Sequence, residues 1–555
     1  MPAQATTDAS QSARGRGADL LVQTLARAGV RVIYSLSGNQ IMPVYDACID
    51  AGIRIVHCRH EGAAVFMADA HAQLTGEVGI ALVTAAPGFA NALGAVYCAR
   101  MSESPVVILS GDSPIGRDGD GAFQELDQNA IAAPLVKLAL RPRKAADLGA
   151  MLAHAFRTAR SGRPGPVQMA LPFDLLNAVL PYATVPPEAD FVAEPRPADG
   201  QGLAAILADL DGTAQPLILT GPALNASRGR DILTELSEKL DLPVIAMESP
   251  RGLKDPALGA LAEVLAQADQ VLLLGKAIDF TLGFAEGGTF AGANRVHVVD
   301  PDPAMRDRAR RKLAGKAGLV LDGDAPATAA ALLRQAGDGS GHRRLAWRTK
   351  VADLLAERVT EPDTGGRISP YFFASAINRA LAGDPRAVLL SDGGEIGQWV
   401  QHLAAAPRRI INGPSGAIGG VLCQGIAAKL LNPEARVLAA MGDGTVGFHF
   451  AELDTAAREG IALVVVVGND GLWNAEHQIQ LRDYGVDRLI GCALAPGRRY
   501  DLAAEGLGCA GFHVTRAEDL DAALLAAFQA GRPALVNVEI EGLPAPSLDG
   551  GAAGH

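Results

Sequence analysis

Two short segments near the C-terminus place carboxylates where a divalent cation and a phosphate could be held together. Met441-Gly442-Asp443-Gly444 follows the apolar stretch Val437-Leu438-Ala439-Ala440. Some two dozen residues later, Val464-Val465-Val466-Val467 runs into Gly468-Asn469-Asp470-Gly471. A buried parallel strand reads as a short Val/Ile/Leu run, and open α/β sheets bind ligands beyond the carboxyl ends of their strands. Asp443 and Asp470 are therefore expected to project from neighbouring strand ends into one crevice. Two carboxylates with nearby backbone carbonyls suit Mg²⁺ or Ca²⁺. Mg²⁺ takes one or two carboxylates and completes its shell with water and ligand phosphate oxygens. Glycines around Asp443 let the backbone approach such a phosphate. Gly-Asp-Gly alone is most often a turn; the preceding strand and the second polar strand end give it a functional reading.

A second candidate lies near the N-terminus, in His60-Glu61-Gly62-Ala63-Ala64-Val65-Phe66-Met67-Ala68-Asp69-Ala70. Glu61 opens an apolar helix directly after a strand pattern. Such a residue is either a first-turn acid favoured by the helix dipole or a buried proton-transfer group. A Pro-Gly turn follows, Ala86-Pro87-Gly88-Phe89-Ala90-Asn91. A third is Gly413-Pro414-Ser415-Gly416-Ala417-Ile418-Gly419-Gly420, where Ile418 stands among glycines, either as a loop residue in the core or as an apolar wedge against a ligand.

The elements that must position these groups fall into three blocks of alternating strand and helix patterns, joined by Pro-rich and polar linkers. Strand patterns occur at Arg31–Tyr34, Ile53–Val56, Gly79–Thr84, Pro105–Ser110 and Pro166–Ala170 in the first block. The second has Leu217–Leu219, Val244–Ala246, Val271–Leu274 and Arg295–Asp300. The third includes Val388–Ser391, Val437–Ala440, Leu463–Val467 and Ala534–Ile540. This alternation predicts an α/β chain of doubly wound parallel sheets, and a length of 555 residues, too great for one core, predicts about three domains. The formal charge, 49 − 61 = −12, argues against nonspecific nucleic-acid binding. Six cysteines without CxxC spacing read as small buried hydrophobes in a reducing compartment. The first residues lack the apolar core of a secretion signal, no run approaches a membrane span, and a cytoplasmic location is expected.

The Gly-Asp-Gly spacing resembles the diphosphate-binding motif of thiamine diphosphate (ThDP) enzymes, here with Asp470 in place of the usual last Asn. The resemblance covers nearly the whole chain. It implies a tail over 1–16, a ThDP pyrimidine-binding domain over 17–185, a central Rossmann-like domain over 201–335, a ThDP diphosphate-binding domain over 366–545, and a flexible tail over 546–555. The order is that of the acetolactate synthase and decarboxylase group. Leu36-Ser37-Gly38-Asn39-Gln40, Phe123-Gln124-Glu125-Leu126-Asp127-Gln128, Asp392-Gly393-Gly394-Glu395-Ile396-Gly397-Gln398-Trp399 and Trp473-Asn474-Ala475-Glu476-His477-Gln478 most resemble 2-hydroxyacyl-CoA lyases and oxalyl-CoA decarboxylases.

Carried over residue by residue, the resemblance implies the following. Glu61 activates the cofactor through its pyrimidine, with Pro87 and Asn91 nearby. Ile418 wedges between the cofactor rings. Gly442, Asp443, Gly444, Thr445, Asn469 and Leu472 meet the diphosphate and its metal, with Asp443, Asp470 and the Leu472 carbonyl as Mg²⁺ ligands. Gln124 lies near the reacting carbon, with Gln40 and Asn39 in the same pocket, and Glu476 and His477 handle protons. In the central domain Asp300, Gly275, Lys276 and Arg251 would meet ADP, or FAD as in acetolactate synthases; a domain kept for packing alone is the alternative. The substrate is a small acyl-CoA or 2-keto acid, with neither nucleic acid nor membrane as partner. The working protein is at least a homodimer and is expected to be a homotetramer. The activity implied is cleavage of a 2-hydroxyacyl-CoA to formyl-CoA and an aldehyde or ketone. An acetolactate synthase-like carboligase of 2-keto acids is the first alternative, and a non-catalytic protein of the same fold the second.

Overall fold

The apolar runs become the interior strands of three parallel sheets, and the helices between them close over the sheet faces, so the chain is α/β throughout. The structure, a computed structural model, describes residues 12–337 and 343–548. Two units separate by their contacts, one formed by residues 1–72 and 76–194, the other by 195–555 with 73–75.

In the first unit the strand order is Arg54–His57, Val32–Ser35, Gly79–Val83, Val106–Asp112, Val167–Pro172, Ala139–Leu140, all parallel. Its core includes Leu20, Ile33, Ile80, Leu109 and Phe156. The second unit holds two sheets. One runs Val244–Ala246, Pro216–Thr220, Gln270–Leu274, Arg295–Val299, Ala317–Leu321; the other runs Arg408–Ile411, Val388–Ser391, Val437–Gly442, Val464–Asn469, Ala534–Glu539, Ala510–Val514. Numbered along the chain, the first and third sheets share the order 2-1-3-4-6-5. Within the second unit the sheets are tied by buried polar contacts. Arg409 Nε pairs with Glu248 Oε1 at 2.6 Å, and His402 Nδ1 lies 2.9 Å from the Pro256 carbonyl oxygen.

In the three parallel sheets the strands without a sequence expectation, Ala139–Leu140, Ala317–Leu321, Arg408–Ile411 and Ala510–Val514, all lie at sheet edges. An edge strand needs no continuous apolar run because one side of it meets solvent. A further correction concerns the N-terminus. Residues 1–11 lie outside the described residues, but Ser12–Arg16, read as tail, forms a strand antiparallel to Val179–Thr184. Its ladder is made by backbone groups, which polar residues supply as well as apolar ones. Likewise, residues 549–555 of the expected C-terminal tail lie outside the described residues. No helix is long and apolar enough to cross a membrane among the described residues.

Candidate active site

In the second unit, strands Val437–Gly442 and Val464–Asn469 pair with Gly442 opposite Gly468, so Asp443 and Asp470 leave adjacent strand ends together. Asp443 Oδ2 accepts from Gly471 N and Oδ1 from Gly444 N, each at 3.0 Å, and Asp470 Oδ1 accepts from Leu472 N at 3.0 Å. Burial, and then the Asp470 charge, push the Asp443 carboxyl up to about 7; burial pushes Asp470 up to about 6. Two buried like charges held side by side are costly unless a cation joins them.

Leu472 forms an antiparallel bridge with Ala493, flanked by Trp473 N to Cys492 O and Leu494 N to Gly471 O, both 2.7 Å. In that pattern the Leu472 N–H and carbonyl turn away from residue 493, to the side where the N–H meets Asp470. Among the described residues no group of three or more His, Cys, Asp or Glu could hold a metal. A cation here would take the two carboxylates, the Leu472 carbonyl and ligand phosphate oxygens, the donor set Mg²⁺ accepts.

Strand Val437–Gly442 runs directly into a helix of a single turn, Asp443–Val446. Thr445 Oγ1 closes that turn through Gly442, 3.2 Å from both its N–H and its carbonyl oxygen. Trp473 lies over the turn, and a methyl group on Gly444 would come within 2.7 Å of its ring.

These groups line a cavity of about 640 Å³ within the second unit. Ile418, Gly442, Asp443, Gly444, Thr445, Asp470, Leu472 and Glu476 all border it. Asn469 and His477 do not. The Asn469 amide nitrogen donates instead to Arg498 O at 3.1 Å and Asn537 Oδ1 at 3.2 Å, since successive strand residues face opposite ways. His477 follows Glu476 on helix Asn474–Tyr484 and is turned about 100° from it.

Sequence reasoning assigned no role to Asp392, which holds the Ile418 loop. This fully buried carboxylate accepts from Gly393 N at 2.7 Å and Gly419 N at 2.9 Å, and burial pushes it up to about 6. Its motif was legible, but a carboxylate buried to hold backbone N–H groups carries no spacing signal. Gly419 has φ +85°, and a Cβ there would lie 2.4 Å from Phe448 Cβ. Gly419→Ala is expected to destabilise the fold by about 1–3 kcal/mol and to displace the Ile418 loop; urea unfolding of the two proteins measures it.

The same cavity is also lined by Arg251, Leu253, Lys254, Phe280 and Phe284, the two phenylalanines about half-exposed. The Arg251 guanidinium is pulled down by burial and opposed by the charges of Glu395 and Glu476. Burial raises Glu395 while Arg251 lowers it. Of the residues expected to meet a nucleotide, Lys276 is buried with its ammonium bonded to Thr281 Oγ1 and 3.7 Å from Asp279. Asp300 is fully buried and accepts from Asp302 N at 2.9 Å. The chain after the last strand is latched beside this cavity: Trp399 Nε1 donates to Pro544 O and Asn474 Nδ2 to Leu543 O, both at 2.9 Å.

In the first unit, Glu61 begins helix Glu61–Thr75, as expected. It is 8% exposed. Its Oε2 accepts from Asn91 Nδ2 at 3.0 Å, and its Oε1 has no hydrogen-bond partner among the described residues. Pro87 opens helix Pro87–Met101 behind Ala86, whose φ of +47° marks a strained turn. Gln40 Nε2 donates to Gln124 Oε1 at 2.7 Å, while Asn39 is exposed. A buried carboxylate with one oxygen held and the other open fits a group that needs a proton exchanged at a ring nitrogen. The paired aspartates fit a metal diphosphate.

Residues 15–131 match the thiamine pyrophosphate enzyme N-terminal TPP binding domain, and residues 392–538 match its C-terminal TPP binding domain. A probable acetolactate synthase of Mycobacterium bovis is 30% identical over 545 residues, spanning 96% of this chain and 97% of that protein. The 2-hydroxyacyl-CoA lyase 2 of Bos taurus is 30% identical over 94% of this chain and 90% of its own length. Escherichia coli acetolactate synthase isozyme 1 large subunit is 27% identical over 95% and 94%. By these matches, together with the parallel α/β fold, the chain belongs to the thiamine pyrophosphate enzymes.

Proposed function

We propose that this chain is a ThDP- and Mg²⁺-dependent carbon–carbon lyase that cleaves a 2-hydroxyacyl-CoA to formyl-CoA and an aldehyde or ketone, and runs the condensation in reverse. The observation that carries the choice of substrate is that Leu253, Phe280 and Phe284 line the same cavity as Ile418 and the paired aspartates. That apolar breadth suits an acyl or aryl carbonyl fragment better than a short 2-keto acid. The likeness to 2-hydroxyacyl-CoA lyase 2 supports the same reading.

Bound thiamine diphosphate supplies a nucleophilic carbon and an electron sink for carbon–carbon cleavage. Asp443, Asp470 and the Leu472 carbonyl would hold the metal, and the Gly442–Thr445 turn would border the diphosphate. Ile418, placed by the Asp392–Gly419 bond, fills space that water would otherwise occupy. Glu61 Oε1 holds and releases a proton while Asn91 fixes its other oxygen. Glu476, at the cavity margin beside Arg251, exchanges a proton with the departing carbonyl oxygen.

The second reading is an acetolactate synthase-like carboligase. It is favoured by the Mycobacterium bovis likeness, which spans nearly both chains. The two part cleanly in one assay. The purified protein with ThDP and Mg²⁺ is expected to release formyl-CoA from a 2-hydroxyacyl-CoA and to form no acetolactate from pyruvate. Acetolactate without formyl-CoA would reverse the assignment. A homodimer as the smallest working form is checked by light scattering on the loaded protein.

A further inference from the structure

In the first unit Thr84, Gln40 and Gln124 form a hydrogen-bonded row. The Thr84 hydroxyl donates to Gln40 Oε1 at 2.9 Å, and Gln40 Nε2 donates to Gln124 Oε1 at 2.7 Å. Gln40 is 5% exposed, so these bonds form away from bulk water, where an unpaired amide would be costly. The backbone makes room for the row. A Cβ on Gly38 would lie 2.3 Å from the Thr84 side chain, and one on Gly111 would lie 2.8 Å from Gln40 Cβ.

Three strand ends supply the parts. Thr84 and Gln40 follow the paired strands Gly79–Val83 and Val32–Ser35, and Gly111 lies on the next strand, Val106–Asp112. Thr84 also lies beside Glu61: a Cβ on Gly88 would meet Thr84 Cγ2 at 2.7 Å and Glu61 Oε1 at 3.3 Å.

The other end of the row is equally constrained. Glu125 accepts the N–H groups of Gly119, Gly121 and Ala122, folding that loop around its carboxylate. The loop delivers Gln124 at φ +58°, in the left-handed region. A non-glycine residue persists there only where its surroundings over-determine it, and such residues cluster at functional sites.

A primary amide accepts at oxygen and donates at nitrogen. The Gln124 oxygen is taken by Gln40, and its nitrogen has no hydrogen-bond partner among the described residues. The row therefore exposes a donor.

We propose that Thr84 and Gln40 are positioning residues that fix the Gln124 amide as a hydrogen-bond donor to the carbonyl or hydroxyl oxygen at the substrate's reacting carbon. The site then selects substrates bearing an oxygen acceptor at that position. This rests on the proposed function and on the resemblance, which implies that Gln124 lies near that carbon, and adds the direction of its bond and the residues that set it.

Kinetics with the ThDP- and Mg²⁺-loaded protein test the row, on whichever of 2-hydroxyacyl-CoA or pyruvate the parent turns over. Gln40→Met and Thr84→Val are each expected to lower kcat/KM roughly threefold to tenfold, the worth of about one hydrogen bond. ThDP affinity by calorimetry should stay unchanged. Thr84→Ser, which keeps the hydroxyl, should restore the parent value. In a Gln124→Ala background, Gln40→Met should cost nothing further. A purely structural row would instead lower the melting temperature and give the same loss with or without Gln124, and that outcome overturns the proposal.

Neutron diffraction from the deuterated parent supplies a readout independent of turnover. It should place the Gln40 amide deuterons toward Gln124 Oε1; Gln124 deuterons directed at Gln40 would refute the assigned direction. Turnover of neither substrate would remove the reaction reading, and with it the use of the row toward substrate. Turnover with additive variants would remove the row alone.

Discussion

Glu61→Gln is expected to lower turnover by roughly 10²–10⁴-fold, the usual contribution of a positioned acid–base group, while ThDP affinity stays within a few-fold of the parent. The geometry sets this separation. Glu61 Oε2 is held by Asn91 Nδ2 at 3.0 Å, and Oε1 is the oxygen left open. A glutamine keeps the length and can still accept from Asn91 through its oxygen. Its open position then carries an amide nitrogen, which donates but cannot take up and return a proton. Packing around helix Glu61–Thr75 is unaltered, so the melting temperature should barely move. Steady-state product release alongside calorimetry of cofactor binding measures both halves. Retained turnover would show that the proton is handled elsewhere.

Asp443→Asn is expected to weaken Mg²⁺-dependent ThDP binding by more than about 100-fold, beyond the 10–100-fold typical of losing a group that only orients a metal ligand. Asp443 carries the strand-end charge closest to the Gly-Asp-Gly turn, and its oxygens already hold Gly444 N and Gly471 N. Asp470→Asn should weaken binding by a smaller factor and have the opposite effect on the metal-free protein. Burial raises both carboxyls, and the Asp470 charge raises Asp443 further, so removing the Asp470 charge relieves a cost of the metal-free fold. The metal-free Asp470→Asn protein should therefore melt higher than the metal-free parent, although it binds metal less well. A purely structural pair would not split the two measurements in this way. Thermal melts with and without Mg²⁺ and ThDP read both.

What the sequence made legible follows burial. The Val464–Val467 run and the strands beside it stand out because a strand covered on both faces must be apolar along its length. Once those strands were placed, Asp443 and Asp470 could be put at adjacent ends. Glu61 was readable for a related reason: it opens an apolar helix immediately after a strand. The edge strands Arg408–Ile411 and Ala510–Val514 were not legible, because half-exposed strands carry no such run. Side-chain direction was harder still. Asn469 turns to Asn537 rather than the cavity, a consequence of strand alternation once Asp470 is fixed on the other face. His477 is carried off the cavity by one step of its helix. Asp392 and the Thr84–Gln40 row act through distant partners, Gly419 and Gln124, and contacts that arise only on folding leave no periodicity to read.

Cofactor binding in this site depends on a divalent cation joining the Asp443–Asp470 pair to a diphosphate. Calorimetric titration of ThDP into the purified protein, once with excess Mg²⁺ and once with EDTA, tests this most directly. The account predicts saturable binding of one ThDP per chain with Mg²⁺ and none with EDTA. No heat at saturating ThDP and Mg²⁺, or binding indifferent to EDTA, would contradict it.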